Sequence, residues 1–262
     1  MKIIGACNLK GGVGKTSLVT NIASLVSKKN KVLIIDMDGQ SNIAMSFGLS
    51  PFNVENSIYE VMLGQIPIQS AIVSVHKNID ILPSNELINQ VEFEVLMNIK
   101  KYPHPFQLLK NACQPIMELE LYDYIFIDCP PSIGLVTGNV LAFADSVLIP
   151  MVPELYATQG LVSMLNGVER IRATQNPDLK IAGIVGMMVD SRTSLHNQLI
   201  QQSRIFAHER GIRFYDNFIS KSVVFANAVA YEAKPAALTD RKHKVVDQYK
   251  ALFKEMQAQG VI

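Results

Sequence analysis

Residues 9–17 read LKGGVGKTS, and this stretch has the composition of a phosphate-binding loop. Its three glycines let the backbone bend so that amide N–H groups can converge on phosphate oxygens. In the general pattern G-x-x-x-x-G-K-[ST], the lysine contacts the β- and γ-phosphates and the hydroxyl group ligates Mg²⁺. Lys15 and Thr16 occupy those two positions. The stretch therefore predicts a site for a nucleoside triphosphate and Mg²⁺.

The loop departs from the general pattern at its first position, where Leu9 replaces the expected glycine. A second lysine, Lys10, follows directly. An extra cation at this place either takes part in the chemistry or faces solvent, and the general pattern does not decide between the two. The residues of the loop that the pattern predicts to bind nucleotide are Gly11, Gly12, Val13, Gly14, Lys15, Thr16 and Ser17.

Carboxylates that follow two apolar runs are candidates for holding the metal and the attacking water. Asp128 ends the run YIFI, and a carboxylate at a strand's carboxyl end lies at the edge where α/β sheets bind ligands. We predict that Asp128 holds Mg²⁺ through water. Asp36 and Asp38, in IDMDGQSN, follow another apolar run. We expect these two carboxylates to point differently, so that one braces the loop while Asp38 faces the phosphates and positions the attacking water. The alternative is a plain turn built by Asp and Gly.

These candidates need a scaffold, and the chain alternates apolar runs with helical patterns. Six runs predict buried strands: Lys2–Cys7, Val32–Ile35, Ile79–Leu82, Tyr124–Ile127, Ser146–Pro150 and Ile181–Met188. Five segments have helical periodicity: Thr16–Lys29, Pro105–Leu119, Ala157–Thr174, Leu195–Gly211 and Lys244–Gln257. Near-continuous hydrophobicity indicates strands covered on both faces, so we predict a doubly wound, mainly parallel α/β sheet. Residues 1–262 contain no linker or repeat, which predicts one domain. Short helices are expected between residues 53 and 101.

Composition excludes several classes of protein. With 48% hydrophobic and 18% charged residues among 262, the chain buries a substantial core and is not intrinsically disordered. No apolar run approaches the about 18 residues that cross a membrane. Cys7, Cys113 and Cys129 are odd in number and widely spaced, which predicts separate buried thiols in a reducing cytoplasm.

Charge is distributed unevenly along the chain, although the net charge is only +1. Residues 1–179 contain 12 Lys and Arg against 16 Asp and Glu, whereas residues 180–262 contain 12 against 7. A basic final third suits binding to a polyanion, and a solvated basic face would have the same composition.

Several motifs together resemble one known family. LKGGVGKTS, with its lysine just before the double glycine, resembles the deviant phosphate loop of the ParA/MinD superfamily. IDMDGQSN is similar to that family's D-x-D-P-Q-G-N segment, with Gly39 and Ser41 replacing proline and glycine. YDYIFIDCPPSIG, ADSVLIPMVPELYATQG and GMMVDSRTSL are similar to later family motifs, in order and over nearly the whole chain. The chain most resembles the ParA/Soj ATPases that partition chromosomes and plasmids.

This resemblance implies an ATP hydrolase that requires Mg²⁺ and has slow intrinsic turnover. In the family, the lysine equivalent to Lys10 reaches across an ATP-sandwich dimer to the partner subunit's phosphates. A cation arriving from the second subunit neutralises charge on the γ-phosphate, as an arginine finger does. The expected partners are a second copy of the chain and a ParB-type centromere-binding protein that stimulates hydrolysis. The expected catalytic residues are Lys10, Lys15 and Asp38.

The resemblance also implies non-specific binding of duplex DNA and a cytoplasmic, nucleoid-associated location. Arg192, in VDSRTSL, matches a DNA-contacting arginine of the family. A second such arginine falls in a segment similar to ISKSVVFANA, where this chain has Val224, so Lys221 becomes the nearby candidate. Five more basic residues are further sources of positive charge: Arg213, Lys234, Arg241, Lys242 and Lys244.

Other functions within the same superfamily stay open. A relative that positions a different cargo would share all of this chemistry. A MinD-like ATPase would switch on a membrane through a basic amphipathic C-terminal helix, but the final FKEMQAQGVI has little positive charge. An iron–sulfur relative would need paired cysteines at a dimer seam, which the cysteine spacing does not favour. The chain starts at its first strand, so we expect no N-terminal helix-turn-helix domain.

Overall fold

Seven strands of the described residues form one sheet, in the order β3-β4-β2-β5-β1-β6-β7. The computed structural model describes residues 1–50, 54–239 and 242–262. The strands are β1 (Lys2–Ala6), β2 (Val32–Asp36), β3 (Val73–His76), β4 (Ile79–Leu82), β5 (Tyr124–Asp128), β6 (Ser146–Met151) and β7 (Lys180–Gly186). Neighbouring strands run parallel, except that the edge strand β3 pairs antiparallel with β4. The predicted mainly parallel α/β sheet is confirmed.

Both faces of the sheet are covered, which explains why the strand sequences are almost continuously apolar. All five residues of β2, VLIID, are buried. Leu33 and Ile35 pack into the core on one face of the sheet, and Val32 and Ile34 pack into the core on the other. The edge strand β3 escapes the sequence prediction because its residues, VSVH, are mostly exposed and form no apolar run.

Helices occupy both faces of this sheet. They are α1 (Lys15–Val26), α2 (Asn42–Ser46), α3 (Ile58–Met62), α4 (Val91–Met97), α5 (Leu108–Glu118), α6 (Leu135–Phe143), α7 (Ala157–Thr174), α8 (Ser194–Glu209), α9 (Val224–Glu232) and α10 (Lys244–Ala258). Helices α1 and α10 cover one face, and helices α3 to α7 contribute to the core on the opposite face. Five of the ten lie on the predicted helical patterns.

The helix α6 escapes a prediction from periodicity. Its sequence, LVTGNVLAF, is buried along almost its whole length, so its apolar residues do not mark one side. The region from 53 to 101 contains the short helices α3 and α4, as expected for it, although residue 53 itself lies outside the described residues.

The prediction of separate cysteine thiols is wrong for two of the three cysteines. Cys7 and Cys129 follow the adjacent parallel strands β1 and β5, with their Cα atoms 5.1 Å apart, and they form a disulfide. Strand pairing brings the two together across 122 residues of sequence, which no local pattern indicates. Cys113 is a free, buried thiol in α5, and its burial raises the pKa of the thiol to about 12.

A glycine in β7 makes room for a fully buried tyrosine ring. Gly183 has φ of +146° and lies beside the register shift between β6 and β7. A Cβ atom at this position would stand 2.6 Å from Cε2 of Tyr215. Tyr215 is fully buried and its hydroxyl donates a hydrogen bond of 3.0 Å to the Ala182 carbonyl. Burial and this hydrogen bond therefore hold the Tyr215 ring in place beside Gly183.

We predict that Gly183→Ala lowers the free energy of unfolding by about 2 kcal/mol or more, because the new methyl group overpacks the core and the backbone angle disfavours an L residue. Urea denaturation followed by circular dichroism measures the change. The matched control is Gly160→Ala, since a Cβ atom at Gly160 meets nothing within 4 Å and this residue lies in helix α7. That control is expected to be neutral or stabilising. Equal stability of the two variants would contradict the packing argument.

Candidate functional site

The glycine-rich loop joins β1 to α1 at the carboxyl edge of the sheet, as a phosphate site requires. Gly12 and Gly14 have φ of +71° and +86°, angles that favour glycine. The backbone turn at Gly14 passes directly into α1, and no side chain caps the helix N-terminus. The first N–H groups of α1 are therefore left for an anion, and the helix dipole favours negative charge there.

A cavity of about 500 Å³ opens over this loop. It is lined by the loop itself, from Gly11 to Ser17, and by Asp38, Asn42, Met45, Ser46, Pro131, Met188 and Val229. Phosphate-binding backbone at one end and apolar side chains at the other match the two ends of a nucleotide. A larger cavity of about 860 Å³ lies at the opposite edge of the sheet, near Lys2 and Asp145, and none of the predicted nucleotide or metal residues line it.

The residues predicted to hold Mg²⁺ meet at the wall of this cavity: Thr16 lines it, and Asp128 is buried behind Thr16. The Thr16 hydroxyl donates a hydrogen bond of 2.5 Å to Oδ2 of Asp128, while Oδ1 of Asp128 is buried without a hydrogen-bond partner. Burial raises the pKa of Asp128 to about 7, and the Thr16 hydrogen bond and the Lys15 charge act in the opposite direction. A buried carboxylate oxygen with no partner, beside a hydroxyl group, fits a hard divalent cation. These residues therefore fit Mg²⁺.

Lys15 is buried near the carboxylates of Asp128 and Asp38 rather than free in solvent. Its burial lowers the pKa of the ammonium group, and the charges of Asp128 and Asp38 raise it. The ammonium nitrogen lies 3.4 Å from the Lys10 carbonyl oxygen. In this position Lys15 lines the cavity with its charge directed to the place where phosphates would lie.

The two carboxylates that follow β2 have different tasks. Asp36 is fully buried, and its oxygens each accept a 3.0 Å hydrogen bond, one from the Asp38 N–H and one from the Ile43 N–H. Burial, and then the charge of Asp128, raise the pKa of Asp36 well above its usual range. Asp38 lines the cavity and accepts a hydrogen bond from the Gln40 N–H. Asp36 thus braces the loop, and Asp38 stands where a water attacking a phosphate could be held.

The departures from the family segment in this loop have local explanations. Ser41 adopts the left-handed conformation, with φ of +51°, where the family has glycine. Its hydroxyl donates a hydrogen bond to the Ser84 carbonyl, which offsets part of the backbone strain. Gly39 lies against the Asn89 side chain, which would stand 2.7 Å from a Cβ atom there. A proline at position 39 would therefore meet Asn89.

Lys10 does not line its own nucleotide cavity. Its ammonium group forms an ion pair with the Glu154 carboxylate, and both side chains remain about half exposed. Glu154 comes from the segment between β6 and α7, 144 residues away in sequence. The neighbouring residues Leu155 and Tyr156 are also exposed. Sequence reasoning missed Glu154, and the run VPELY offers no local pattern that assigns it to Lys10.

The two predicted DNA contacts lie on adjacent segments, away from the cavity. Arg192 forms a bidentate ion pair with Asp190, and this hydrogen-bonded pairing lowers the pKa of the aspartate below its usual range. The Lys221 N–H donates to the Val189 carbonyl, which brings the Lys221 segment beside the Arg192 segment. Both Arg192 and Lys221 are exposed.

The other basic candidates are dispersed. Arg213 bonds to Gln259 and lines the cavity at the opposite edge of the sheet, so it does not join Arg192. Lys234, Lys242 and Lys244 are exposed, and Arg241 lies outside the described residues. Val224 is the first residue of α9.

Comparison with known proteins agrees with this geometry. Residues 1–181 match the profile of a family described as an AAA domain. The chain is 35% identical over 257 residues to the chromosome partitioning protein ParA of Myxococcus xanthus, covering 97% of this chain and 87% of that protein. It is 33% identical to the sporulation initiation inhibitor protein Soj of Bacillus subtilis, covering 99% of each.

Solved structures give the same result. A plasmid partition protein of Borrelia burgdorferi bound to AMPPNP has a TM-score of 0.77 at 26% identity, covering 99% of each chain. Cobyrinic acid a,c-diamide synthase of Mycobacterium smegmatis, with bound ATP analog and magnesium, has a TM-score of 0.83 at 28% identity, covering 99% of this chain and 95% of that one. Among the described residues, no helix is both long and apolar enough to cross a membrane.

Because Asp36 and Asp38 have different tasks, replacing each with alanine should affect stability and hydrolysis differently. Asp36→Ala should lower the free energy of unfolding by roughly 2 kcal/mol, because two buried N–H groups lose their acceptors. Asp38→Ala should stay within about 0.5 kcal/mol of the original stability and still bind a nucleoside triphosphate, with hydrolysis reduced about 100-fold or more. Chemical denaturation and single-turnover hydrolysis separate the two. Equal loss of stability in both variants would refute the bracing role of Asp36.

Proposed function

The chain belongs to the ParA family of partition ATPases, and we propose that it partitions a plasmid or a chromosome as an ATP-controlled dimer on DNA. It is an ATP hydrolase, and its cofactors are ATP and Mg²⁺. The dimer, the binding to DNA and the partner protein are the parts that we add to this family assignment. The observation that carries the proposal is the position of Lys10, outside its own nucleotide cavity.

Within one subunit, the loop and its neighbours prepare ATP for attack. Backbone N–H groups from Gly11 to Thr16 cradle the phosphates, and Lys15 binds the β- and γ-phosphates. Thr16 and Asp128 would hold Mg²⁺, which would neutralise phosphate charge when bound. Asp38 orients the attacking water. The cavity lining and the Thr16–Asp128 hydrogen bond support these proposed tasks.

A further positive charge at the γ-phosphate comes from Lys10 of a second copy of the chain. Lys10 is adjacent to the phosphate loop, yet its ammonium group points away to Glu154 on an exposed surface. On that surface it can contact another subunit's nucleotide, provided that the subunits face each other across their loops. Because the γ-phosphate is present only before hydrolysis, such a dimer forms with ATP and dissociates afterwards.

The dimer then binds duplex DNA without sequence preference, through Arg192 and Lys221. Two subunits present two such basic segments at once, so dimerisation raises the affinity for a polyanion beyond that of one subunit. ATP thereby controls residence on the nucleoid. Slow intrinsic turnover leaves time for transport, and a ParB-type protein bound to a centromere-like site accelerates hydrolysis and releases the DNA. The partitioned DNA molecule is the cargo of this cycle.

We predict that Lys10→Ala keeps ATP binding but abolishes ATP-dependent dimers and lowers hydrolysis by about 1,000-fold, because the charge supplied by the second subunit is lost. Light scattering with ATP and fluorescence titration with a labelled nucleotide measure the two properties. Lys29→Ala removes an exposed lysine near the end of α1 and is the matched control. ATP-dependent dimers of normal stability in Lys10→Ala would contradict the proposed contact of Lys10 with the second subunit's nucleotide.

The pairing of Arg192 with Asp190 leads to opposite predictions for these two residues. Arg192→Ala should weaken binding to arbitrary duplex DNA and reduce the slope of log affinity against log salt by about one contact per subunit. Asp190→Asn should strengthen binding, because it frees the guanidinium group and removes a negative charge. Gel shifts at several salt concentrations measure both, with Arg170→Ala on α7 as control. If all four proteins bind DNA alike, Arg192 is not a contact.

A further inference from the structure

The helix α4 exposes an apolar face that no described residue covers. Phe93, Leu96 and Met97 are 64%, 66% and 69% exposed. Their spacing of three and four residues places them together on one side of the helix, while Val91 and Val95 on the other side are buried. Soluble proteins rarely leave three large apolar side chains together in water unless something binds there. We refer to Phe93, Leu96 and Met97 as the α4 face.

Carboxylates flank the α4 face on both sides. Glu92 and Glu94 precede and follow Phe93 by one residue, so each lies about 100° around the helix from its ring. Basic side chains, Lys100 and Lys101, come only after the helix has ended, and Lys101 lies over the Tyr102 ring. An occupant of this face therefore meets negative charge along both sides of an apolar stripe.

The α4 face is also linked to the loop between β5 and α6. Oε2 of Glu92 accepts a hydrogen bond of 3.4 Å from the Leu135 N–H, at the first residue of α6. A Cβ atom at Gly134 would stand only 2.9 Å from the same oxygen, so the carboxylate touches the loop backbone. That loop runs from Asp128, the predicted metal ligand, through Pro131, which lines the nucleotide cavity. Glu92 therefore links a molecule bound to α4 with the segment that carries Asp128.

We propose that the α4 face is the docking site of the ATPase-stimulating protein, which contributes an amphipathic helix flanked by Lys and Arg. Complementary charge selects this occupant: its basic flanks pair with Glu92 and Glu94, and its apolar side covers the ring of Phe93. A second copy of the chain is disfavoured, since a two-fold pairing of this face would bring like carboxylates together. Anionic lipid is disfavoured for the same reason.

Docking at this place supplies a route to faster hydrolysis. The occupant pairs with Glu92 and thereby alters its contact with Gly134 and Leu135, and with it the position of the loop that carries Asp128. Glu92 is a positioning residue in this scheme, because it acts through the loop and touches neither nucleotide nor metal. The inference rests on the proposed function, which supplies the stimulating partner.

The test measures ATP hydrolysis of the full chain with duplex DNA, titrated with the ParB-type protein of the same genome. The double variant Phe93→Ser with Met97→Ser should keep basal hydrolysis and ATP-dependent dimers within about two-fold. The partner concentration giving half-maximal stimulation should rise at least tenfold. Glu94→Lys should have the same effect, and more strongly at low salt. Leu119→Ser is the matched control, since Leu119 is 65% exposed and follows α5.

The outcomes separate this inference from the proposed function. No stimulation of the unmodified chain would overturn the proposed partner, and the docking site with it. Stimulation of the unmodified chain that persists unchanged in the double variant would overturn the docking site alone. Loss of ATP-dependent dimers in the double variant would assign the face to a second copy. Binding to phosphatidylglycerol vesicles that the double variant abolishes would assign it to a membrane, and either result overturns the proposal.

Discussion

Two carboxyl groups buried side by side are the constraint on which this site depends. Asp36 and Asp128 occupy paired positions at the ends of the parallel strands β2 and β5, and both are almost inaccessible to water. Like charges at such a place repel strongly, because little solvent screens them. Lys15, itself buried, is the cation that the loop places near Asp128. Mg²⁺ held by Asp128 would add positive charge beside the two carboxyl groups and would favour the ionised form of Asp128.

The same strand order determines which parts of the site could be predicted from the sequence. The phosphate loop, Asp38 and Asp128 are recognisable because each immediately follows a buried apolar run, and parallel strands bring their carboxyl ends to one edge. The sequence contains no comparable signal for Glu154. Its pairing with Lys10 depends on β6 lying beside β1, which is a property of the strand order and not of any local segment. The disulfide between Cys7 and Cys129 escapes prediction for the same reason.

The Lys10–Glu154 ion pair is well suited to a switch. Both side chains are half exposed, and an ion pair in such surroundings contributes only about 0–1 kcal/mol. Exchanging Glu154 for a nucleotide phosphate of a second subunit therefore costs little, and a triphosphate offers more negative charge than one carboxylate. The ion pair keeps Lys10 extended on the surface in the meantime. Glu154 therefore orients the Lys10 side chain more than it stabilises the fold.

A cycle of this kind needs a second control, because association of two ATP-bound subunits does not by itself decide when hydrolysis occurs. The loop between Asp128 and α6 is suited to that control, since one end carries the metal ligand and the other meets α4 through Glu92. In the proposed cycle, Lys10 and α4 act on the same nucleotide from separate surfaces. Assembly can then proceed without hydrolysis, and hydrolysis can wait until a partner protein binds the exposed helix. The proposed cycle would then have a long-lived DNA-bound state, which binding of the partner shortens.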